Sequence, residues 1–403
     1  MTAPAAVQAA DSSQPTASTK GYVWRTRFPA RLNDGVKNII FRRLLSCTAA
    51  GLLLGTATEA AGLLGKIAKL AEKKPVPFEL QTAPETLAKD YLKLDKLEPL
   101  KGMKRVAFPA FQVEFELESN ESATSVARQV GEGGGAQASV STRYFLKGVD
   151  DALCQKVTDQ LYASVTAQFQ AAGFEVVGLD AVKAAASFAK LPLKPTPFHI
   201  DKSKHDSVFC APQGMQTYFK PGDQRLEFGG LSFSALDWNG AYKALGQELD
   251  AALIEARFVV TFCDLEGSKQ GFWQTYGNTA SASVKSTLAL TFLPGETRFW
   301  VQTGNTKATM FKPNNFVALT LKHPVMAGKQ LFEVKHITTT GQKLSDAAVT
   351  ALGVVSSLSG GRNMSSRTKQ YEAHVDGAEY AEVVQTYGDA VTKMFVSQLK
   401  AAQ

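Results

Sequence analysis

Residues 150–177 read DDALCQKVTDQLYASVTAQFQAAGFEVV, and this stretch decides the fold class. Asp150 or Asp151 supplies a side-chain oxygen for a helix N-cap. Leu153, Val157, Leu161, Val165 and Phe169 then recur at i, i+4 spacing, the signature of an amphipathic helix laid on a sheet. Gly173 stands where a left-handed residue closes such a helix. Phe174-Glu175-Val176-Val177 is the strand that follows, and Ala181–Lys190 is predicted as a second, alanine-rich helix.

Upstream, Lys104–Glu118 reads KRVAFPAFQVEFELE. Phe111, Val113, Phe115 and Leu117 fall on one side of a strand, and Gln112, Glu114, Glu116 and Glu118 on the other. The glutamate row is expected to be a solvated sheet face. Carboxylate oxygens suit a hard divalent cation as a minor alternative. Asn120–Ser141, with Gly131-Glu132-Gly133-Gly134-Gly135, lacks the Lys-Ser/Thr of a phosphate-cradling loop and is read as a connection. Tyr144–Lys147 is a short strand.

Downstream, Asn239–Leu253 is a helix feeding the strand Ile254–Asp264. Ile254, Ala256, Phe258, Val260 and Phe262 share one face of that strand; Glu255, Arg257, Val259, Thr261 and Cys263 share the other. Val284–Leu293 and Thr297–Thr303 are expected to form a hairpin about Pro294-Gly295-Glu296. Phe316–Lys322 and Gln330–Thr338 are strand-like, Ser356–Ser366 is a loop, and Ala378–Gln403 closes the chain as a helix. The predicted class is α+β: a mixed, largely antiparallel sheet packed by amphipathic helices, with a C-terminal helix.

The N-terminal region is of another kind. Residues 1–35 are low-complexity and expected to be untranslated if initiation occurs at Val36 on a GTG codon. Residues 36–60 read as an export signal: Lys37, Arg42 and Arg43 precede the uncharged run Leu44–Thr58, with cleavage expected near Ala57 or Ala60. The run is shorter than the ~20 apolar residues that span a bilayer. Leu44-Leu45-Ser46-Cys47 imitates a lipobox, but its apolar stretch lies on the wrong side of Cys47. Residues 61–103 are expected to be a linker, 104–303 the α+β core domain, and 304–403 a strand-rich extension with the terminal helix.

The chain of 403 residues carries a formal charge of +7, with 44% hydrophobic and 20% charged residues. Seven Lys/Arg and three acids lie in residues 1–60, so the remainder carries only +3. A polyanion footprint is not expected there, and nucleic acid is excluded as a partner class. In an oxidising compartment Cys154, Cys210 and Cys263 permit one disulfide. Cys210–Cys263 is the favoured pair, with three reduced, buried thiols as the alternative. His199, His205 and Cys210 are zinc-ligating types, but their spacing matches no closed four-ligand site. No Gly-x-Ser-x-Gly elbow or His-Glu-x-x-His helix is present. No catalytic, cofactor or metal residue is therefore assigned.

The order of pieces resembles the curli-secretion channel lipoproteins, and with them the lipoprotein activators of penicillin-binding proteins and the N-terminal domain of the Tol-system periplasmic protein. The residues that carry it are the strand Arg105–Phe111, the helix ending in 173–177, the helix through Leu245–Leu253 feeding Ala256–Val260, and the terminal helix. The resemblance implies an exported, non-enzymatic protein, periplasmic or outer-membrane-associated. It would bind or scaffold envelope proteins or surface polymer, and membrane association is compatible with it. Two alternatives stand beside it: an oligomeric outer-membrane secretion channel subunit, using hairpins from Ser281–Leu293 with Thr297–Thr303 and from Phe258–Asp264 with Phe272–Asn278, and a periplasmic enzyme of unknown reaction.

Overall fold

The computed structural model describes residues 78–127, 136–191, 193–202, 205–217, 235–268, 282–303, 316–358 and 363–403. The export segment, with Ala57 and Ala60, and the second half of the Phe258–Asp264/Phe272–Asn278 hairpin lie outside them.

In chain order the elements are α1 (Pro84–Tyr91), β1 (Leu92–Leu94), β2 (Arg105–Ala127), β3 (Ala136–Lys147), α2 (Asp151–Ala171), β4 (Glu175–Val176), α3 (Leu179–Ala184), β5 (Phe198–Lys202), β6 (His205–Cys210), α4 (Ala235–Leu249), β7 (Ala252–Ser268), β8 (Ser283–Phe292), β9 (Arg298–Gln302), β10 (Val317–Leu321), β11 (Val325–Met326), β12 (Glu333–His336), α5 (Thr340–Leu358), β13 (Asn363–His374) and α6 (Gly377–Ala401). The main path of the sheet runs β1-β10-β9-β7-β2-β3-β13-β12. Pairings of β2 with β7, of β2 with β4 and of β13 with β3 are parallel; the others are antiparallel. The α+β class, the mixed sheet and the terminal helix follow the sequence reading.

The helices form where their caps and apolar rows require. Asp150 accepts the Leu153 N–H at 2.8 Å, and Asp376 accepts the Glu379 N–H at 2.9 Å at the start of α6. Gly173 takes φ +96° beyond the end of α2, as a left-handed closing residue should. Val157, Leu161, Val165 and Phe169 of α2 are fully buried, as are Val384, Val391, Met394, Phe395 and Leu399 of α6. They meet the apolar row of the sheet: Phe108 lies edge-on to Phe169, Phe111 to Tyr162, and Phe299 stacks on Phe395 at 4.5 Å. At Gly388 the two helices approach so closely that an added Cβ would lie 2.7 Å from Leu161 Cδ1. α3 and α4 bury a second cluster, with Val182, Tyr242 and Leu245 packed against Ala107, Ala110 and Leu253.

Several expectations are corrected. The presumed linker, from Phe78 onward, belongs to the fold: β1 pairs with β10, and Phe78, Ala88 and Leu92 are buried in the main core. Residues 304–403 are no separate extension, because β10, β13 and α6 share that sheet and core, and Pro75–Gln403 is one compact unit. The expected connection Asn120–Ser141 is largely strand: Glu118–Ala127 pairs residue by residue with Phe145–Ala136. Its Ser, Thr and Ala residues alternate without large apolar side chains, which hid the period. The expected hairpin about Pro294-Gly295 is absent. β8 and β9 both run antiparallel along β7, through Val260↔Phe292 and then Arg257↔Arg298, with 293–297 bulging between them. Gly295, at φ +78°, permits that bulge. α3 ends at Ala184, short of the predicted Lys190. α5 and most of β13 occupy a stretch without a sequence assignment.

Candidate functional site

The residues singled out by sequence are not brought together. His199 on β5 pairs with Asp151 at the start of α2, 3.0 Å away and half exposed. His205 and Cys210 stand at opposite ends of β6, roughly 17 Å apart along the strand. Among the described residues no three His, Cys, Asp or Glu side chains are placed to hold a metal ion.

The expected Cys210–Cys263 disulfide does not form. Cys210 lies opposite Val113 on one edge of β2, while Phe258 faces Val113 on the other edge and Cys263 sits five residues farther along β7. Two strand spacings and that offset exceed the reach of a disulfide. Cys154, Cys210 and Cys263 are free, buried thiols. Burial pushes all three up, Cys210 to about 12; Cys210 beside Cys154 adds to the rise at Cys154. Thiols so protonated are poor nucleophiles.

The glutamate row is not solvated. Gln112, Glu114 and Glu116 are buried, with 4% of Glu114 and 5% of Glu116 exposed. Arg257, opposite on β7, is 5% exposed and donates from Nη2 to Glu114 Oε2 at 2.9 Å. Glu296 lies 3.9 Å from Arg257 and 3.8 Å from Arg298, whose guanidinium stacks 3.8 Å over Trp300. Gln112 donates to Thr217. The strip is a paired, desolvated network. Sequence alternation assigned both rows to their faces; only the parallel β2–β7 register, with Gln112↔Arg257 and Glu114↔Val259, brings the acid to the arginine.

Among the described residues, two shallow clefts stand out. One of about 450 Å³ lies between α2 and 211–215, near Gln155, Lys156 and Asp159. The Asp159 carboxylate is engaged there by the Gln213 N–H (2.7 Å) and Gln155 Nε2 (3.0 Å). The other, about 500 Å³, includes Lys93, Asp95 and Lys322.

The outer end of the sheet is different. Among the described residues five large apolar side chains are exposed, and four of them (Val334, Leu344, Val349, Met364) lie in β12, α5 and β13. β12 pairs with β13 only over His374–Tyr371, which leaves 363–370 of β13 without a neighbouring strand on that side. Side chains take the strand's place. Asp346 Oδ2 accepts the Thr368 N–H at 2.6 Å, and Thr338 Oγ1 accepts the Gln370 N–H at 2.9 Å. The Ile337 N–H donates to the Gln370 carbonyl at 2.8 Å. Thr338 Oγ1 also shares a hydrogen bond with His336 Nε2, 2.7 Å away. The same hydroxyl thus joins an imidazole and caps the strand edge. Among the described residues no helix is long and apolar enough to cross a membrane.

No family model, no curated protein and no solved structure matches this chain.

Proposed function

We propose that this is an exported, non-enzymatic cell-envelope protein that binds or scaffolds other envelope components through the outer end of its sheet. The observation that carries the reading is the concentration of exposed apolar side chains at Val334, Leu344, Val349 and Met364, beside a strand edge whose Thr368 and Gln370 N–H groups are held by side chains. Exposed apolar groups gathered in one part of a fold mark interaction surfaces. The basic-then-apolar segment 36–60 supports the exported location. The composition of β8 and β13 favours binding over a membrane pore. β8 and β13 present Lys285, Arg367 and Lys369 among Ser and Thr, where a lipid-facing strand needs an apolar band ~25 Å tall.

Fractionation of the native cells tests the location: the protein is expected in the periplasmic or outer-membrane fraction, cleaved near Ala57 or Ala60. A photo-crosslinking residue at Leu344 tests the surface, with one at Lys93 as control. A discrete adduct from 344 alone is expected. Retention of 36–60 on a cytoplasmic protein, or equal adducts from both positions, overturns the proposal.

A further inference from the structure

The first half of α5, residues 340–350, is built the wrong way round for a helix that belongs to a core. In residues 340–350 none is buried, and the least exposed are Gln342, Asp346 and Thr350, a polar row at i, i+4, i+8. That row faces β13: Asp346 receives the Ser366 and Thr368 hydroxyls at 3.3 and 3.2 Å besides the Thr368 N–H. Leu344 is 66% exposed, and Ala347 and Ala348 point to solvent with it. A helix draws most of its stability from burying an apolar face, and this part of α5 buries none. Val349, Thr350, Gly353, Val354 and Val355 are poor helix formers, so propensity adds little. The N-terminus is held by Thr339 and Gln342, each accepting the other's backbone N–H at 3.0 and 3.3 Å. A segment held, as 340–350 is, by local caps and a polar row belongs to the low-stability end of a fold.

Beneath it lies the strand edge 363–369, roughly 23 Å long, which ends where the Gln370 carbonyl accepts the Ile337 N–H. An open edge of that length is a template for another strand, and proteins commonly guard it. On one side of β13, Arg367 and Lys369 are exposed two residues apart, without an ion pair among the described residues. A second copy pairing antiparallel about Thr368 would set Arg367 against Lys369, a like-charge clash across strands. An extended segment with acidic residues at i and i+2 places carboxylates opposite both.

We propose that α5 is a displaceable guard, and that the β13 edge it covers takes an extended acidic peptide segment of another protein as an added strand. This rests on the binding role proposed above and names the partner's chemistry. The main-chain N–H groups of Thr368 and Gln370 move from Asp346 and Thr338 to carbonyls of the incoming strand, with Arg367 and Lys369 reading its acids.

The test uses the purified chain and two capped heptapeptides, one alternating Glu with Val and one alternating Lys with Val, followed by fluorescence anisotropy. The Glu peptide is expected to bind, and Asp346→Ala, which releases the guard, to tighten it about tenfold. Adding Thr368→Pro removes an edge donor that β3 does not use and should abolish binding. The double reversal Arg367→Glu/Lys369→Glu leaves the α5 contacts untouched, so it remains informative if Asp346→Ala does not fold; it should switch preference to the Lys peptide. Equal binding of both peptides, no binding to any variant, or self-association of Asp346→Ala by light scattering overturns the proposal. None of these results bears on export or on crosslinks from Leu344, so the broader reading is judged separately.

Discussion

Arg257 Nη2 lies 2.9 Å from Glu114 Oε2 across two parallel strands, and about nineteen-twentieths of each residue is shielded from solvent. A buried pair of this kind adds little net stability, because the cost of desolvating two ions offsets their attraction. Its consequence appears when one partner is lost.

Arg257→Met strands Glu114 and is expected to cost about 3–5 kcal/mol in urea unfolding. Glu114→Leu together with Arg257→Met removes both charges and should cost less than the sum of the two single changes. Additive losses would show that the two side chains are independent.

Gly388→Ala pushes a methyl against Leu161, where α2 and α6 touch. A cost of about 1–3 kcal/mol is expected from overpacking. Leu161→Ala makes room, so the pair should be coupled: Gly388→Ala should be nearly harmless in the Leu161→Ala chain. An unchanged melting temperature for Gly388→Ala alone would place the helices farther apart.

The buried thiols set a pH dependence. Desolvation raises the Cys210 thiol from 9.0 to about 12. The folded state therefore holds its proton more tightly than the unfolded chain. Stability from this group is complete below pH 9 and declines as pH rises from 9 toward 12, by at most ~1.4 kcal/mol per unit. Cys210→Ala should flatten that decline relative to the parent chain. In a Cys47→Ala chain, thiol reagents at pH 8 should react only upon unfolding, and rapid labelling of that native protein would contradict the burial.

Hydrogen exchange should separate the guarded edge from the ladder. The Thr368 and Gln370 amides, held by side chains of α5 and its entry turn, are expected to exchange well before those of the β2–β3 ladder, and Asp346→Ala to accelerate Thr368 further. Uniform protection across β3 and β13 would mean that α5 is part of the cooperative core.

Parts of this arrangement were legible in the residues. The Leu153–Phe169 row, the Phe111–Leu117 alternation and the terminal helix each carry a period that apolar burial enforces. β3 before Tyr144 did not, because Ser, Thr and Ala alternate with too little hydrophobic contrast, and β13 is polar on both faces over most of its length. α5 was missed since Leu344, Ala347, Ala348 and Val349 of its first half face outward. The glutamate row looked solvated because one strand cannot reveal that an arginine 143 residues later will neutralise it. The cysteine pairing failed for a similar reason: strand order, invisible locally, sets Cys210 and Cys263 on opposite sides of β2.

The central claim is that the outer end of the sheet is a binding surface. Hydrogen–deuterium exchange of the protein in isolated native envelopes, compared with the purified chain, tests it most directly. Protection confined to 363–370 and to the neighbouring strand Glu333–His336 is the predicted result. Identical exchange in both preparations, or protection at another part of the fold, would contradict it.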